Sequence, residues 1–359
     1  MVEDIYNVIK IIIGASPSKI FHLQEFTKTL TKFNVDCRLV LDYQIYDGFP
    51  SRKITNWFQT RRKFKELVKT FKPDVILIDR QRHFGLAAIK SRIPLFVHVR
   101  GDYWEEMIMA KRTLYKSFPK NIAIHQWEKI GNACFSNACL IIPICDYLEK
   151  KVKMHYPNKP TAVLHQGINP HNWFKTDGMN LKHPCVGLVQ SATIYEKTKE
   201  MLTLTKVLES LPNVTFYWVG DGPYKDHVLP ELQKYDNFKW LGKLQYPDKV
   251  RDFLSEIDIY ALISGIDMSP LTLQEAQLME IPVIATRVGG IPELMRDGIT
   301  GYLVEKGNAD SIIDKIEKLL SDEKLRARMG LAGRLYVEKN FDWEIIAKKF
   351  YDILKSHVK

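Results

Sequence analysis

Short apolar runs alternate with segments of helical spacing along this chain, and Gly, Pro or Asn separate them. Strands are predicted in the first half at residues 8–13, 36–41, 75–78, 95–99, 139–142 and 161–164. Helical spacing fills residues 21–30 and 84–90 between them. Repeated alternation of strand and helix indicates βαβ units in a doubly wound parallel sheet.

A second series of the same kind follows residues 169–184, which lack periodicity and are rich in Asn, Gly and Pro. Its strands are predicted at residues 186–189, 214–219, 238–241, 257–262, 283–285 and 302–304. A last amphipathic helix is predicted at residues 343–356, with Asp342 as its N-cap. This α/β pattern predicts Rossmann-like domains at residues 1–170 and 171–342, and a C-terminal helix within residues 343–359.

The composition is that of a globular protein, since 45% of the 359 residues are hydrophobic and 26% are charged. No apolar run approaches the roughly 20 residues that span a bilayer, and the acidic N-terminus has no signal-peptide pattern. The five cysteines are scattered, so neither a disulfide framework nor a zinc site is indicated. We expect a cytoplasmic protein, with a peripheral position at the inner face of the cell membrane as an alternative.

The net charge of +10 comes entirely from the first half. Residues 1–170 contain 27 basic and 15 acidic residues, a net of +12, whereas the remainder contains 25 and 27. The densest part runs from Arg52 to Lys72, where eight basic residues are interleaved with apolar residues. Two interpretations stay open here: a helix on an anionic membrane surface, or a surface helix whose apolar stripe packs on its own domain.

The candidate chemistry begins at Asp267. Ser269 is predicted to cap a helix that begins at Pro270, where a missing N–H has no cost. The free amides and the positive dipole end of such a helix suit a diphosphate. Glu275 follows inside the helix, so two carboxylates flank one anion site.

The same stretch continues with Gly289-Gly290, which permits a close backbone approach to a ligand, and with Pro292-Glu293, predicted to begin another helix. The run resembles family 4 of the retaining GT-B glycosyltransferases, which carries E-x7-E within EGFPxxxxEAxxxGxPVIATxxGGIPE and then DGxTGxLV. The matching positions are Asp267, Pro270, Glu275, Ala276 and residues 282–286, 289–293 and 297–304. Weaker matches are VGDGP at residues 219–223, WLG at 240–242 and NFDW at 340–343.

The resemblance covers residues 186–359 closely and the first half only in layout. It implies a GT-B fold, in which two Rossmann-like domains face a cleft and the C-terminal helix packs back on the N-terminal domain. It also implies that a sugar is transferred from a nucleotide-sugar with retention of configuration. No metal and no other cofactor is expected.

The family's motif assigns roles to the matching positions. Its first acid contacts the donor sugar and its second holds the ribose hydroxyls, which are here Asp267 and Glu275. The basic residue that neutralises the departing diphosphate matches Lys197. Further donor-binding positions are expected at Met268, Ser269, Pro270, Leu271, Gly14, Gly222, Gly242, Lys243, Leu244 and Glu293.

Three departures from the family's pattern affect these roles. Ser191 replaces the second basic residue, and Arg287, Lys243 or Arg100 is a candidate for the missing cation, because charge placed where it develops is usually the largest catalytic contribution. Asp267 replaces a Glu, so its reach to the sugar is one methylene shorter. Arg100 stands in the register of the family's His.

The first half offers candidates around two strand ends. A loop at residues 14–19 holds the place of the family's Gly-rich loop, although Gly14 alone is equally typical of a plain βα turn. His98 and Arg100 are two apart on a strand and therefore share a face, so both are predicted to be catalytic. A core role for His98 is the alternative. Asp102 is expected on the acceptor side.

Three functions follow as hypotheses. The first is retaining sugar transfer from a UDP- or GDP-sugar to a glycan or lipid-linked acceptor, held by the basic N-terminal domain at the membrane surface. The second is a catalytically weakened GT-B protein that only binds nucleotide-sugars. Polyanion binding rests on charge alone, and with no nucleic-acid module in the sequence no nucleic-acid partner is expected.

Overall fold

A computed structural model describes residues 8–17, 20–51, 53–112 and 115–358. The chain divides into two compact units: unit 1 comprises Met1–Gly167 with Trp343–Lys359, and unit 2 comprises Ile168–Asp342. The chain thus passes from unit 1 to unit 2 just after Gly167. Two features named above include residues outside the described ranges: Arg52 in the basic segment, and residues 18 and 19 in the loop after the first strand.

Both units are built on parallel sheets, as the alternating pattern predicts. The strands of unit 1 are β1 (Ile9–Ala15), β2 (Val35–Leu41), β3 (Val75–Ile78), β4 (Leu95–Val99) and β5 (Leu140–Pro143). The strands of unit 2 are β6 (Cys185–Val189), β7 (Thr215–Val219), β8 (Phe238–Gly242), β9 (Ile259–Leu262), β10 (Val283–Thr286) and β11 (Gly301–Val304).

Helices connect the strands in both units. They are α1 (Ile20–Leu30), α2 (Asp42–Ile45), α3 (Arg62–Phe71), α4 (His83–Ser91), α5 (Tyr103–Arg112), α6 (Lys120–Asn137), α7 (Asp146–His155), α8 (Tyr195–Lys199), α9 (Leu204–Ser210), α10 (Leu229–Leu232), α11 (Asp248–Glu256), α12 (Leu271–Leu278), α13 (Ala309–Ser321), α14 (Glu323–Phe341) and α15 (Trp343–His357). Short 3-10 helices lie at Thr31–Phe33, Ile54–Phe58, Pro170–Asn172, Glu200–Thr203, Lys225–His227 and Ile291–Glu293.

The sheet of unit 1 has the strand order β2-β1-β3-β4-β5. On one of its faces α1 and α15 pack together, with the ring centroids of Phe26 and Phe350 5.1 Å apart. Trp343 and Leu354 of α15 are buried in the same cluster. The apolar face of the C-terminal helix therefore completes the core of unit 1, although that helix follows all of unit 2 in sequence.

The sheet of unit 2 has the order β11-β10-β9-β6-β7-β8. The chain runs outward from β6 through β7 to β8, and then returns to the other side of β6 to begin β9. Apolar clusters cover both faces of this sheet, which is why its parallel strands are almost continuously buried. The carboxyl ends of β6 and β9 form a topological switch point, where ligands bind in open α/β sheets.

Two local predictions for unit 1 are wrong. The strand predicted at residues 161–164 is only a bridge between Thr161 and Ile141. The amides of Ala162 and Leu164 donate to Ile141 and Pro143 of β5, but Pro143 has no N–H to donate in return. The turn predicted to begin at Gly14 starts later, since β1 continues through Ala15. A Cβ on Gly14 would lie 2.6 Å from the Phe84 ring, so close core packing explains this glycine.

The basic segment combines a buried and an exposed apolar face. Phe64 and Phe71 of α3 are buried, so the stripe of this helix packs on its own domain. Trp57 and Phe58 lie just before α3 and are 40% and 81% exposed. Among the described residues, no helix has the length and apolarity that crossing a bilayer requires.

Candidate functional site

An ion pair joins Lys197 and Asp267 at the switch point of unit 2. Lys197 lies on α8, which follows β6, and Asp267 lies in the loop that follows β9. The Nζ of Lys197 donates to Oδ2 of Asp267 at 2.5 Å, and each side chain is 14% exposed. The structure thus brings together a cation and an acid that are 70 residues apart in sequence.

The backbone around this ion pair is held by a buried amide and a glycine. The Nε2 of Gln190 donates to the carbonyl oxygens of Lys197 at 3.2 Å and Ile263 at 3.1 Å. A Cβ on Gly265 would lie 2.1 Å from the carbonyl oxygen of Glu196. Only glycine allows the loop after β9 to approach α8 this closely.

The predicted glycine pair supports Asp267. Gly289 has a φ of +54°, and a Cβ there would lie 2.0 Å from the carbonyl oxygen of Asp267. The amide of Gly290 donates to the same oxygen at 3.0 Å. The sequence predicts a close approach to a ligand, whereas in the structure these glycines approach the backbone of Asp267.

Glu275 lies on α12 with only 2% of its surface exposed. The Tyr246 hydroxyl donates to its Oε1 at 3.0 Å, while Oε2 is buried and has no hydrogen-bond partner in the described part of the chain. Loss of hydration raises the pKa of Glu275 to about 8, although the bond from Tyr246 opposes the shift. With this pKa the acid holds its proton near neutral pH, and a hydroxyl that donates to Oε2 favours the ionised form.

Two helix starts differ from the prediction. The first residue of α12 is Leu271, because the ψ of 108° at Pro270 is extended rather than helical. Ser269 therefore makes no capping bond, and its buried Oγ is without a hydrogen-bond partner within the described ranges. Pro292 belongs to a single 3-10 turn, Ile291–Glu293, which the Glu293 amide closes by donating to Gly290.

The candidates for the missing cation have different surroundings. The guanidinium of Arg287 is 2.7 Å from Asp297 and 3.0 Å from Glu305, so its charge is balanced locally. Lys243 is exposed beyond the end of β8. Ser191 is also exposed, and its Oγ lies 3.2 Å from that of Thr193.

The remaining predicted donor positions of unit 2 lie in loops or at the ends of secondary-structure elements. A Cβ on Gly222 would lie 2.4 Å from the carbonyl oxygen of Ala192, so this glycine fits the loop after β7 against the loop after β6. Gly242 ends β8 with a φ of +71°. Met268 is buried, Leu244 and Leu271 pack against the core, and Glu293 is half-buried.

In unit 1 the predicted residues His98 and Arg100 converge on one acid, Asp79. Their Nδ1 and Nη1 atoms lie 3.9 Å and 3.6 Å from its Oδ1, and the hydroxyl of Ser16 donates to Oδ2 at 3.2 Å. Arg100 also donates to Gln166. Burial lowers the pKa of Arg100, and Asp79 opposes that shift.

Sequence reasoning missed both Asp79 and Tyr246. Asp79 directly follows β3 at the place where the strand order of unit 1 reverses between β1 and β3, and this position was its only signal. Tyr246 follows the expected donor-binding position Leu244 by two residues, and no pattern marked it.

Asp102, expected on the acceptor side, has two local partners. Its Oδ1 accepts the amide of Glu105 at 3.1 Å in the first turn of α5, and Lys151 lies 3.2 Å from Oδ2. The Asp102 carboxylate, which accepts from the Lys151 ammonium, raises the pKa of Lys151. Asp102 therefore caps a helix and anchors an ion pair.

One group of side chains has the makings of a metal site. The ligand atoms of His183, Cys185 and Asp258 lie within 4.8 Å of one another at the amino ends of β6 and β9. His183 already hydrogen-bonds to Asp258 at 2.8 Å and Glu256 at 3.0 Å, and these acids raise its pKa. Hydrogen bonding accounts for the group, which lies at the sheet edge opposite Lys197.

Residues 171–336 match the family model described as glycosyl transferases group 1. The chain is 32% identical over 216 residues to the N-acetyl-alpha-D-glucosaminyl L-malate synthase of Bacillus anthracis. This alignment covers 56% of each chain. It is 35% identical over 163 residues to the GDP-mannose-dependent monoacylated alpha-(1-6)-phosphatidylinositol monomannoside mannosyltransferase of Corynebacterium glutamicum, over 43% of this chain and 42% of that relative. The match thus spans about half the length of these curated relatives.

A solved structure matches nearly the whole chain. Sucrose-phosphate synthase from Thermosynechococcus elongatus superposes with a TM-score of 0.72 at 14% identity, over 97% of this chain and 99% of that one. At such low identity the likeness shows the fold.

Proposed function

Because residues 171–336 match the group 1 glycosyltransferases and the chain has the GT-B fold, we propose that it transfers a sugar from a UDP- or GDP-sugar to an acceptor, with retention of configuration. The observation that carries the proposal is the Lys197–Asp267 ion pair at the switch point of unit 2. This is the place where an α/β sheet binds nucleotides.

Lys197 is the cation that stabilises the departing diphosphate. Its ammonium is held by a single carboxylate oxygen, whereas Arg287 is neutralised by two acids. Negative charge grows on the leaving group as the glycosidic bond breaks, so a fixed cation there stabilises the transition state more than the ground state. The Oδ1 of Asp267 is then available for a hydroxyl of the donor sugar.

Glu275 binds the ribose hydroxyls of the donor. Its Oε2 is buried without a partner in the described part of the chain, and a ribose diol supplies the donors that such an oxygen needs. Accepting hydrogen bonds from the diol favours the ionised acid, so nucleotide binding releases a proton near neutral pH.

The reaction is proposed to need no metal, because a side-chain cation takes the place that a metal holds in metal-dependent transfer. The contact of His98 with the donor sugar and the role of Arg100 as the missing positive charge stay predictions. The relative from Corynebacterium is named as GDP-mannose-dependent, and this favours including GDP-sugars among the donors to be tested.

The acceptor is proposed to be a glycan or lipid-linked molecule at an anionic membrane surface. The support is the exposed apolar group of Ile54, Trp57 and Phe58 beside basic residues of the Arg52 to Lys72 segment. The phosphatidylinositol monomannoside in the name of the same relative is an acceptor of this kind. We expect the protein to cosediment with phosphatidylglycerol vesicles but not with phosphatidylcholine vesicles. Binding to neither kind of vesicle would contradict this part of the proposal.

A panel of UDP- and GDP-sugars, with mass-spectrometric detection of the released sugar and nucleoside diphosphate, tests the function. We expect slow hydrolysis of at least one donor, unchanged by EDTA. Thermal stabilisation by UDP or GDP without turnover of any donor would instead support the nucleotide-sugar-binding protein that the serine at position 191 favours. Neither stabilisation nor turnover would refute both.

A further inference from the structure

A cavity of about 410 Å³ opens in unit 1 beside the carboxyl ends of β3 and β4. Its wall combines charged and aromatic side chains from the segment after β3 and from α5 and α6. The residues that matter for its chemistry are Arg80, Arg82, Arg100, Glu106, Tyr103 and Trp127.

Arg80 and Arg82 bring two positive charges to this cavity, and neither forms an ion pair with a described acid. Among the described residues, no carboxylate oxygen lies within 4.0 Å of either guanidinium. The Arg82 guanidinium lies 3.9 Å from the centre of the Trp127 ring, which fixes it against the wall. Burial lowers the pKa of Arg82, and repulsion by Arg80 lowers it further.

The other described charged groups near the cavity lie beyond ion-pair distance of the two arginines. Asp47 interacts with Arg82 from farther away and lies 3.0 Å from His83. Arg100 and Asp79 balance each other. Burial raises the pKa of Glu106, and the charges of Arg80 and Arg82 oppose that shift. Asp42 is close enough to interact with both arginines, but burial also raises its pKa. Arg80 and Arg82 therefore stand beside an aromatic wall with no ion-pair partner among the described residues.

We propose that this cavity binds a compact oxyanion of the acceptor, a phosphate monoester or a carboxylate, between Arg80 and Arg82. An oxyanion relieves the repulsion between the two guanidinium groups, each of which can donate two parallel hydrogen bonds to it. The wall formed by Trp127 and Tyr103 then packs against the carbon skeleton or sugar ring that carries the anion. This deepens the proposed function, on which it rests, by naming the acceptor's chemistry.

Calorimetric titration of the full chain with glucose 6-phosphate and glucuronate, with glucose as the neutral control, tests the proposal. We expect at least one anionic sugar to bind and glucose not to bind. Because a hydrogen bond to a charged group contributes about 1.5–3 kcal/mol, Arg80→Gln should weaken binding by about 10- to 100-fold. Arg82→Lys, which keeps the charge but not the two parallel bonds, should lose a similar factor.

The exposed Arg328 has no acid partner within the described ranges, so Arg328→Gln is the matched control and should bind as the wild type does. Binding to phosphatidylcholine vesicles with and without phosphatidic acid distinguishes the two sources of the anion. Binding only to vesicles with phosphatidic acid indicates a lipid phosphate, and binding to neither, together with binding of a soluble anionic sugar, indicates a soluble acceptor. Binding of none of these anions, or equal binding by Arg80→Gln and wild type, would overturn the proposal. UDP and GDP should still raise the thermal stability of the same variants. If neither nucleotide stabilises the wild type, the nucleotide site is refuted instead.

Discussion

The carboxyl edges of the two sheets each bring an acid and a base together, but at different depths. In unit 1, Asp79 is 3% exposed, and His98, Arg100 and Ser16 surround it. In unit 2, Lys197 and Asp267 are each 14% exposed and share one hydrogen bond. The same topological position thus holds a nearly buried acid in one unit, whereas both members of the ion pair are partly exposed in the other.

This difference in exposure separates a charged group that stabilises the fold from one that is available to a ligand. A buried charge that loses its partner is left without solvation, so the pairing of Asp79 with Arg100 mainly stabilises the fold of unit 1. The exposed atoms of the Lys197 pair can exchange one partner for a ligand at small cost. The comparison predicts opposite effects of substitutions at the two edges.

Asp79→Asn should have the largest effect and should act on stability. Removing this acid leaves Arg100, which is only 13% exposed, without a compensating charge, and the free energy of unfolding should fall by about 4 kcal/mol. Urea denaturation measures the loss. The exposed pair Lys206 and Asp310 provides the control, since Asp310→Asn should cost less than about 1 kcal/mol. Equal, small losses in both variants would contradict a structural role for Asp79.

The pH dependence of stability should expose Glu275. Its folded pKa of about 8 lies above the ordinary 4.5, so the folded protein keeps a proton that the unfolded chain releases. This contribution is fully present below pH 4.5 and is lost as the pH rises toward 8, by about 3 kcal/mol between pH 5 and 7.5. Glu275→Gln should remove that part of the slope. Parallel urea midpoints for variant and wild type across this range would contradict the raised pKa.

Lys197→Met should act on turnover rather than on stability. Loss of one preorganised charge at a developing anion typically costs about 100-fold or more in kcat. Donor hydrolysis measures the effect, and Lys206→Met serves as the matched lysine control with its exposed partner. Wild-type turnover in Lys197→Met would remove this lysine from the mechanism.

Gly289→Ala should move Asp267 and have the smallest effect of the series. The new methyl group meets the carbonyl oxygen of Asp267 and also sits at a positive φ, so a loss of about 2 kcal/mol in stability is expected. Gly307→Ala separates the two causes, because Gly307 has a φ of +75° and nothing within 4 Å of its added Cβ. Only Gly289→Ala should lower donor turnover.

The regular elements were the most predictable part of the molecule. The strands β3 and β4 begin and end where the sequence predicts, because short continuous apolar runs next to Pro and Asp mark a buried parallel strand. The pairing of Lys197 with Asp267 follows only from strand order, which the local pattern does not encode. Asp79 and Tyr246 were missed because a single polar residue after a strand repeats no pattern.

Local rules also misplaced the start of α12. Ser269 followed by Pro270 is typical of a capped helix, but the extended ψ of Pro270 puts the first helical residue at Leu271. The tertiary setting decides here, since Ser269 is placed with its hydroxyl buried instead of at the amides. The motif marked the candidate site, but the course of its backbone could be read only from the structure.

The central claim is that Lys197 contacts the diphosphate of the donor, and the most direct test is the preference for a nucleoside diphosphate over its monophosphate. Calorimetry of UDP against UMP, and of GDP against GMP, should give a clear preference for the diphosphate in the wild type and a collapse of that preference in Lys197→Met. Monophosphate affinity should be the same in both proteins. An unchanged preference in Lys197→Met would contradict the account.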